Sequence, residues 1–136
     1  MPKNPNDDQM LDVLTKYKKI AVVGLSPQPH RPSHGVSRYM IEQGYDVVGV
    51  RPGADTILGR PCYASLRDVP GPLEIVDVFR ASEAIPELVD ELIALSPKVL
   101  WLQEGVTHDV AEAKARQAGI IVVSNRCILK EHIRLL

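Results

Sequence analysis

The sequence has no long apolar segment, and this absence excludes a membrane-spanning protein. Its purely apolar runs are only a few residues long, whereas a membrane-spanning helix needs about 20. The N-terminal sequence MPKNPNDDQM contains no apolar core of the kind that a signal peptide carries. We therefore expect a cytoplasmic protein with no membrane partner.

The sequence also has few cysteines and a net charge close to zero. The two cysteines, Cys62 and Cys127, are too few for a disulfide framework, and their spacing fits no zinc site. The chain has 16 Lys and Arg residues against 17 Asp and Glu residues, which gives a net charge of −1 at pH 7. A nearly neutral chain has no general electrostatic attraction for nucleic acid. The composition thus predicts a reduced protein with no metal site and no nucleic-acid partner.

The sequence does contain a regular alternation of short β-branched runs and helical patterns. Its 136 residues fit one domain, 7–136, behind a flexible lead-in, 1–6, that carries two prolines. Strands are predicted at 19–24, 45–50, 74–79, 99–103 and 120–124, and helices at 7–17, 33–44, 86–95, 107–119 and 127–136. Asp7 or Asp8, Ser33 and Thr107 are the expected helix N-caps. This alternation predicts an α/β fold, with a doubly wound, mostly parallel sheet and helices on both faces.

Residues 54–72 interrupt the alternation between the second of these strands and the third. Within this connection we predict a turn at 59–61, a short strand at 62–63 and one helical turn at 65–68.

The stretch 18–38 has the pattern of an anion-binding site. An apolar run, 20–23, breaks at Gly24, a polar loop follows, and a helical pattern begins at Ser33. Backbone N–H groups and the helix dipole favour an anion where a buried strand turns into a helix. The loop also carries donors and potential cations, namely Ser26, His30, Arg31, Ser33 and His34. A phosphate-bearing ligand at the carboxyl edge of the sheet is the first hypothesis.

The end of the second strand narrows the choice of ligand. A dinucleotide site normally shows G-x-G-x-x-G and an acid after the second strand, but here Gly24 is followed by no glycine before Gly35, and Arg51 takes the place of the acid. Arg51 can pair with a ribose phosphate, which favours coenzyme A (CoA) or NADP over NAD. The chain also lacks the P-loop pattern G-x-x-x-x-G-K-[ST].

Six motifs in order resemble the small CoA-binding domain family, which is similar to the N-terminal, CoA-binding domain of the succinyl-CoA synthetase α subunit. The resemblance covers the chain from about residue 10 and implies a Rossmann-like fold that binds CoA or acyl-CoA. The motifs are Val23-Gly24-Leu25-Ser26 with Arg31-Pro32-Ser33, Gly49-Val50-Arg51-Pro52-Gly53, Leu58-Gly59, Asp77-Val78-Phe79-Arg80, 101–106 (WLQEGV) and 125–132 (NRCILKEH).

The resemblance also implies which positions contact the ligand. The turn of Gly24, Leu25 and Ser26, Arg31 and the helix start at Ser33 should meet the pyrophosphate. Arg51 and Pro52 should lie by the adenosine. The path of the adenine or the pantetheine should be lined by Phe79, Arg80, Gln103, Glu104 and Gly105, with Cys127 as a further candidate. Two positions depart from the family, because relatives commonly have Asn where this chain has Arg51 and Asp where it has Asn125.

Several alternatives stay open. Arg31 either clamps a phosphate or is solvated beside Pro32, and Arg80 contacts either the ligand or the acids Glu83 and Asp77. Cys127 is either a half-buried packing residue or a thiol able to form a mixed disulfide with CoA.

No set of residues suggests catalysis, so the leading hypothesis is a stand-alone CoA-binding protein without a reaction of its own. An NADP-dependent oxidoreductase-type protein and a CoA-responsive regulatory subunit are the alternatives. A homodimer or a protein partner is compatible with each of the three.

Overall fold

The computed structural model describes residues 4–136 and contains one sheet with helices on both faces. The strands are β1 (Lys19–Val23), β2 (Asp46–Val50), β3 (Thr56–Ile57), β4 (Arg60–Tyr63), β5 (Ile75–Val78), β6 (Val99–Leu102) and β7 (Ile121–Val123). The helices are α1 (Asp7–Lys16), α2 (Pro32–Glu42), α3 (Ile85–Leu95), α4 (Asp109–Gln117) and α5 (Ile128–Leu135), with single 3-10 turns at Leu66–Asp68 and Ser82–Ala84. Across this described part of the chain, no helix is both long and apolar enough to cross a bilayer.

The strand order places a crevice between β1 and β5. The sheet runs β3-β4-β2-β1-β5-β6-β7, and neighbouring strands are parallel except for β3 and β4. Counted along the chain without β3, this is the order 3-2-1-4-5-6 of the Rossmann fold. The chain winds away from β1 to β2 and β4, then crosses back to β5. Ligands of such sheets bind at this reversal, outside the carboxyl ends of the strands.

Alternate residues of β1 enter two separate apolar clusters. Ala21 and Val23 pack in a cluster with residues of α3 and α4, on one face of the sheet. Ile20 and Val22 pack on the other face, with residues of α1, α2 and α5. A strand buried on both faces requires helices on both sides, so the predicted doubly wound architecture is confirmed.

The N-cap of helix α1 lies one residue before the first of the two predicted caps. Asn6 is its N-cap, and the Asn6 side chain accepts a hydrogen bond from the backbone N–H of Gln9 at 2.9 Å. The Gln9 side chain accepts from the Asn6 backbone N–H, also at 2.9 Å. The prediction of Asp7 or Asp8 as the cap was therefore wrong, because this reciprocal pair requires an amide three residues after the cap.

The caps of α2 and α4 also differ from the prediction. Pro32 takes the first position of α2, for which its fixed φ and missing N–H suit it, so Ser33 lies inside the helix. His108, not Thr107, caps α4 by accepting the backbone N–H of Ala111 at 3.2 Å. In α4 a neighbouring side chain thus satisfies part of the first turn, whereas the N-cap of α2 is Arg31, whose side chain makes no capping hydrogen bond.

A small hairpin replaces the turn that we predicted at 59–61. Leu58 and Gly59 form its two-residue loop with φ values of 57° and 71°, as in turns that join antiparallel strands. Arg60 and Pro61 therefore belong to β4, and the short strand predicted at 62–63 is confirmed as the part of β4 that pairs with β2.

The lead-in approaches the far edge of the sheet. Residues 1–3 of the expected flexible segment lie outside the described residues. The Asn4 side chain donates to the Ser124 carbonyl at 2.9 Å and accepts the Ser124 backbone N–H at 2.7 Å. These bonds place Asn4 beside the end of β7.

Candidate functional site

Gly24 allows the ends of β1 and β5 to approach each other. Its φ is +87°, and a Cβ at this position would stand 2.6 Å from the carbonyl oxygen of Phe79. The Gly24 N–H donates to the Val50 carbonyl at 3.0 Å, and the Phe79 N–H donates to the Val23 carbonyl at 2.9 Å. These bonds hold three strand ends together at the crevice, and no residue with a side chain fits at Gly24 without movement.

The loop after Gly24 is braced by its own serines. The Ser26 backbone N–H donates to Ser33 Oγ at 2.9 Å, and the Gln28 backbone N–H donates to Ser26 Oγ at 3.1 Å. The Ser26 N–H, which we expected to meet a phosphate, is thus used within the loop. Both serine hydroxyls keep their own proton as a donor for an anion.

This loop forms one wall of a first cleft of about 470 Å³ at the crevice. Six of the residues predicted from the sequence line it together: Gly24, Ser26, Arg31, Ser33, Arg51 and Phe79. Pro27, Gln28 and Pro32 complete the lining. The fold therefore brings the two ends of the predicted anion site, 24–33 and Arg51, to one place.

The arginines of this region lack acidic partners. Within residues 4–136, no carboxylate forms a salt bridge with Arg31, Arg51 or Arg80. Among these residues, the Arg51 guanidinium donates only a long bond of 3.4 Å, to the neighbouring Pro52 carbonyl. Elsewhere Arg134 is held by two acids, Asp7 and Glu131. Unpaired guanidinium groups beside a cleft create a positive potential that suits phosphate groups.

A second cleft of about 440 Å³ continues from the first, because Pro32 and Phe79 line both. It also contains predicted site residues that come from other strand ends, namely Arg80, Gln103, Glu104 and Cys127. Val36 and Val106 give its wall an apolar part. The two clefts together form a groove that runs from the arginines to a thiol.

Two hydrogen bonds between Arg126 and strand β6 fix the position of the next residue, Cys127. The backbone N–H of Arg126 donates to the Leu102 carbonyl at 3.1 Å, and Trp101 Nε1 donates to the Arg126 carbonyl at 2.8 Å. Cys127 is the N-cap of α5 and is half-buried. Cys127 also lines the second cleft, and both interpretations of it, a packing residue or a thiol that forms a mixed disulfide with CoA, stay predictions.

Lys130 lies near Cys127 and was missed by the sequence reasoning. Its Nζ contacts both carboxylate oxygens of Glu104, at 2.9 and 3.1 Å. The hydrogen bond that Lys130 donates to Glu104 raises the pKa of Lys130 above its ordinary value. The sequence did contain a signal for this proximity, because residues that are three apart in a helix, such as Cys127 and Lys130, are neighbours on its surface.

Asp77 lies beneath the second cleft and was quoted in the motifs without a role in binding. It is 1% exposed, and it accepts a hydrogen bond from Gln103 Nε2. Burial raises the pKa of Asp77 to about 7, and the hydrogen bond from Gln103 opposes this rise. The sequence feature that indicates a buried acid of this kind is an Asp or Glu in the middle of an otherwise apolar strand.

Three predicted site residues lie outside the linings of both clefts. The Leu25 side chain is fully buried in the core, and Pro52 is exposed. The Gly105 N–H donates to Asn125 Oδ1 at 2.7 Å, and its carbonyl accepts from Ser82 Oγ at 3.3 Å. Gly105 therefore joins the loops after β6 and β7.

A third cavity of about 250 Å³ lies near the same edge of the sheet and shares Arg80 with the second cleft. Val23 and Val50 line it from the strands, and Glu87 and Glu91 line it from α3. Two acids opposite one arginine suit a phosphate less well than the first cleft does.

Comparisons with known proteins point to one family. The model of a family described as "CoA binding domain" matches residues 18–133. The chain is 37% identical over 130 residues to the uncharacterized protein YneT of Bacillus subtilis (strain 168), which covers 96% of each chain. A solved structure of a hypothetical protein from Pyrococcus horikoshii OT3 is 41% identical, with a TM-score of 0.91 and coverage of 99% of both chains.

A more distant match concerns a much longer protein. The acetate–CoA ligase [ADP-forming] I of Archaeoglobus fulgidus is 28% identical over 74 residues, which are 54% of this chain and 11% of that protein.

Proposed function

Because the chain belongs to the CoA-binding domain family, as its motifs predicted, we propose that it binds coenzyme A or an acyl-CoA in the groove of the two clefts. The pyrophosphate and the ribose phosphate lie in the first cleft, and the pantetheine arm follows the second cleft towards Cys127. The protein acts as a binding module without a reaction of its own.

The observation that carries this proposal is the pair of unpaired arginines in the first cleft. Arg31 comes from the loop before α2 and Arg51 from the end of β2, and within the described chain neither has an acidic partner. CoA carries charge at two separate places, its pyrophosphate and its 3′-phosphate. Two guanidinium groups on different elements suit that arrangement, since each can form charge-assisted bonds with a phosphate.

The second cleft favours CoA over a dinucleotide. It extends the first cleft past Phe79, with apolar contacts from Val36 and Val106 and one buried amide, Gln103. A pantetheine arm is a chain with apolar segments and amide groups, and it therefore matches this lining. A nicotinamide nucleotide would instead bring a second ribose and a charged ring.

A comparison of ligands in thermal unfolding tests the proposal. CoA, acetyl-CoA, dephospho-CoA, NADP and NAD are each added at millimolar concentration. A ligand at about 100 times its Kd stabilises the folded state by about 2.7 kcal/mol, so CoA and acetyl-CoA should raise the Tm clearly. Dephospho-CoA should raise it less, since it lacks the 3′-phosphate. The proposal fails if no CoA species stabilises the protein, and a larger shift with NADP than with CoA would favour the oxidoreductase-type alternative.

A further inference from the structure

Asp77 and Gln103 lie on neighbouring strands and on the same face of the sheet. Asp77 pairs with Trp101 in the register of β5 and β6, and Gln103 follows Trp101 by two residues. Because side chains alternate along a strand, Gln103 projects from the same face as Trp101, diagonally opposite Asp77. This geometry lets its side-chain amide reach the carboxyl group, and Gln103 Nε2 donates to Asp77 Oδ1.

The bond determines how the Gln103 amide is oriented. An amide has a donor end and an acceptor end, whereas an ionised carboxylate only accepts. Nε2 must therefore face Asp77, and Oε1 must face away from it. Gln103 is 4% exposed and lines the second cleft. Among residues 4–136, no group donates a hydrogen bond to Oε1, so this oxygen can accept one from a ligand in the second cleft.

The geometry points to Asp77 as a positioning residue that, through Gln103, presents one amide oxygen to an amide N–H of the pantetheine arm. This inference rests on the proposed binding of CoA and adds the group that is recognised. Asp77 does not touch the ligand. The ionised Asp77 carboxylate excludes the flipped amide, in which Gln103 would offer a donor to the ligand instead of an acceptor.

One consequence separates this role from a purely structural one. The nucleotide half of CoA, 3′-phospho-ADP, carries the phosphates and the adenosine but has no pantetheine. Changes at Asp77 or Gln103 should weaken the binding of CoA and leave the binding of 3′-phospho-ADP unchanged. A variant that merely loosens the fold would weaken both ligands.

The test measures Kd for both ligands by calorimetry, with the native chain and with Asp77→Asn, Gln103→Met and the double variant. Solutions are kept at about pH 8, above the pKa of about 7 that burial gives Asp77, so that the native carboxyl group is mainly ionised. Asparagine can donate to Oε1 and allow the flipped amide, and methionine removes the acceptor. Each single variant should lower the affinity for CoA about 3- to 10-fold, the range of one hydrogen bond. Glu112→Gln is the control, because Glu112 is also a buried acid and lies outside both cleft linings.

The double variant shows whether Asp77 acts through Gln103. If it does, Asp77→Asn has no further effect once Gln103 is methionine, so the two losses do not add. Unchanged CoA affinity in both single variants, an equal loss for 3′-phospho-ADP, or additive losses would each overturn the inference while CoA binding by the native chain stands. If the native chain binds neither ligand, the proposed function fails and this inference fails with it.

Discussion

Gly24 shows how one residue can determine the shape of the crevice. An alanine there would have to adopt a φ of +87° and would place its Cβ 2.6 Å from the Phe79 carbonyl oxygen. The left-handed conformation alone costs about 1–2 kcal/mol. The contact adds to this, since two backbones would have to separate. We expect Gly24→Ala to lower the free energy of unfolding by about 2–4 kcal/mol in urea titrations.

Gly44 provides the matched control for this prediction. Its φ is +93°, but a Cβ there meets no atom within 4 Å. Gly44→Ala should therefore show the conformational cost alone, about 1–2 kcal/mol. Equal losses in the two variants would show that the approach of β1 and β5 does not require glycine.

Asp77 should make the stability depend on pH. Burial raises its pKa to about 7 from the ordinary value of 3.8. Between these values the folded chain binds more protons at Asp77 than the unfolded chain does, so this residue lowers stability as the pH rises towards 7. From about pH 5 to about pH 8, the loss due to Asp77 should reach about 2–3 kcal/mol.

Urea unfolding of Asp77→Asn across that range isolates this effect. Asparagine does not ionise, so the stability of the variant relative to the native chain should increase from about pH 5 to about pH 8. Groups that titrate elsewhere contribute equally to both proteins. A constant difference between them at all pH values would show that the Asp77 carboxyl group keeps an ordinary pKa.

At the scale of elements, the sequence predicts the strands and helices well because their boundaries are marked. Gly44, Pro86 and Gly119 lie within two residues of helix ends, and the apolar run at 20–23 is too short for a helix. The hairpin β3–β4 was missed, since its first strand has two residues and its loop contains Leu58, which rarely adopts a positive φ. The predicted helix caps were wrong because several polar residues precede each helix, and the sequence does not show which of them takes the cap position.

The part of the site that the strand ends form could be predicted from the sequence, but the contacts between side chains could not. Arg31 and Arg51 follow the carboxyl ends of two predicted parallel strands, so they could be placed at one edge of the sheet, and they do line one cleft. The bond between Asp77 and Gln103 could not be inferred, because it depends on the register of β5 and β6. Strands that are buried on both faces are apolar almost throughout, so their sequence does not show which residues stand opposite each other.

The cap of α1 gives a test at this scale. Asn6 forms a reciprocal pair with Gln9, so Asn6→Ala removes the acceptor for the Gln9 N–H. Such a loss typically costs about 1 kcal/mol, measurable as a lower urea midpoint with an unchanged slope. Asn6→Asp is the control, because a carboxylate is an equally good cap and should keep nearly all of the stability. An alanine variant as stable as the native chain would show that α1 is held by its packing alone.

At the scale of the whole molecule, a net charge of −1 conceals an uneven distribution. Among the described residues, Arg31, Arg51 and Arg80 gather at the carboxyl edge of the sheet without acidic partners, while Arg60 is paired with Asp46. The attraction for a phosphate ligand is therefore local. Its strength should fall with ionic strength, since the Debye length shrinks to about 10 Å at 0.1 M salt.

Replacing these cations tests whether the local charge causes the binding. Arg31→Gln and Arg51→Gln should each weaken CoA about 10-fold or more, because a hydrogen bond to a charged group contributes about 1.5–3 kcal/mol. Each variant should also lose part of the salt dependence of Kd. Arg38→Gln is the matched control, since it removes the same charge from an exposed position of α2 that lies outside both cleft linings. If Arg38→Gln weakens CoA as much as Arg31→Gln does, the total charge of the protein attracts the ligand. If only the cleft arginines matter, the fold itself has created the site by bringing two unpaired cations to one crevice.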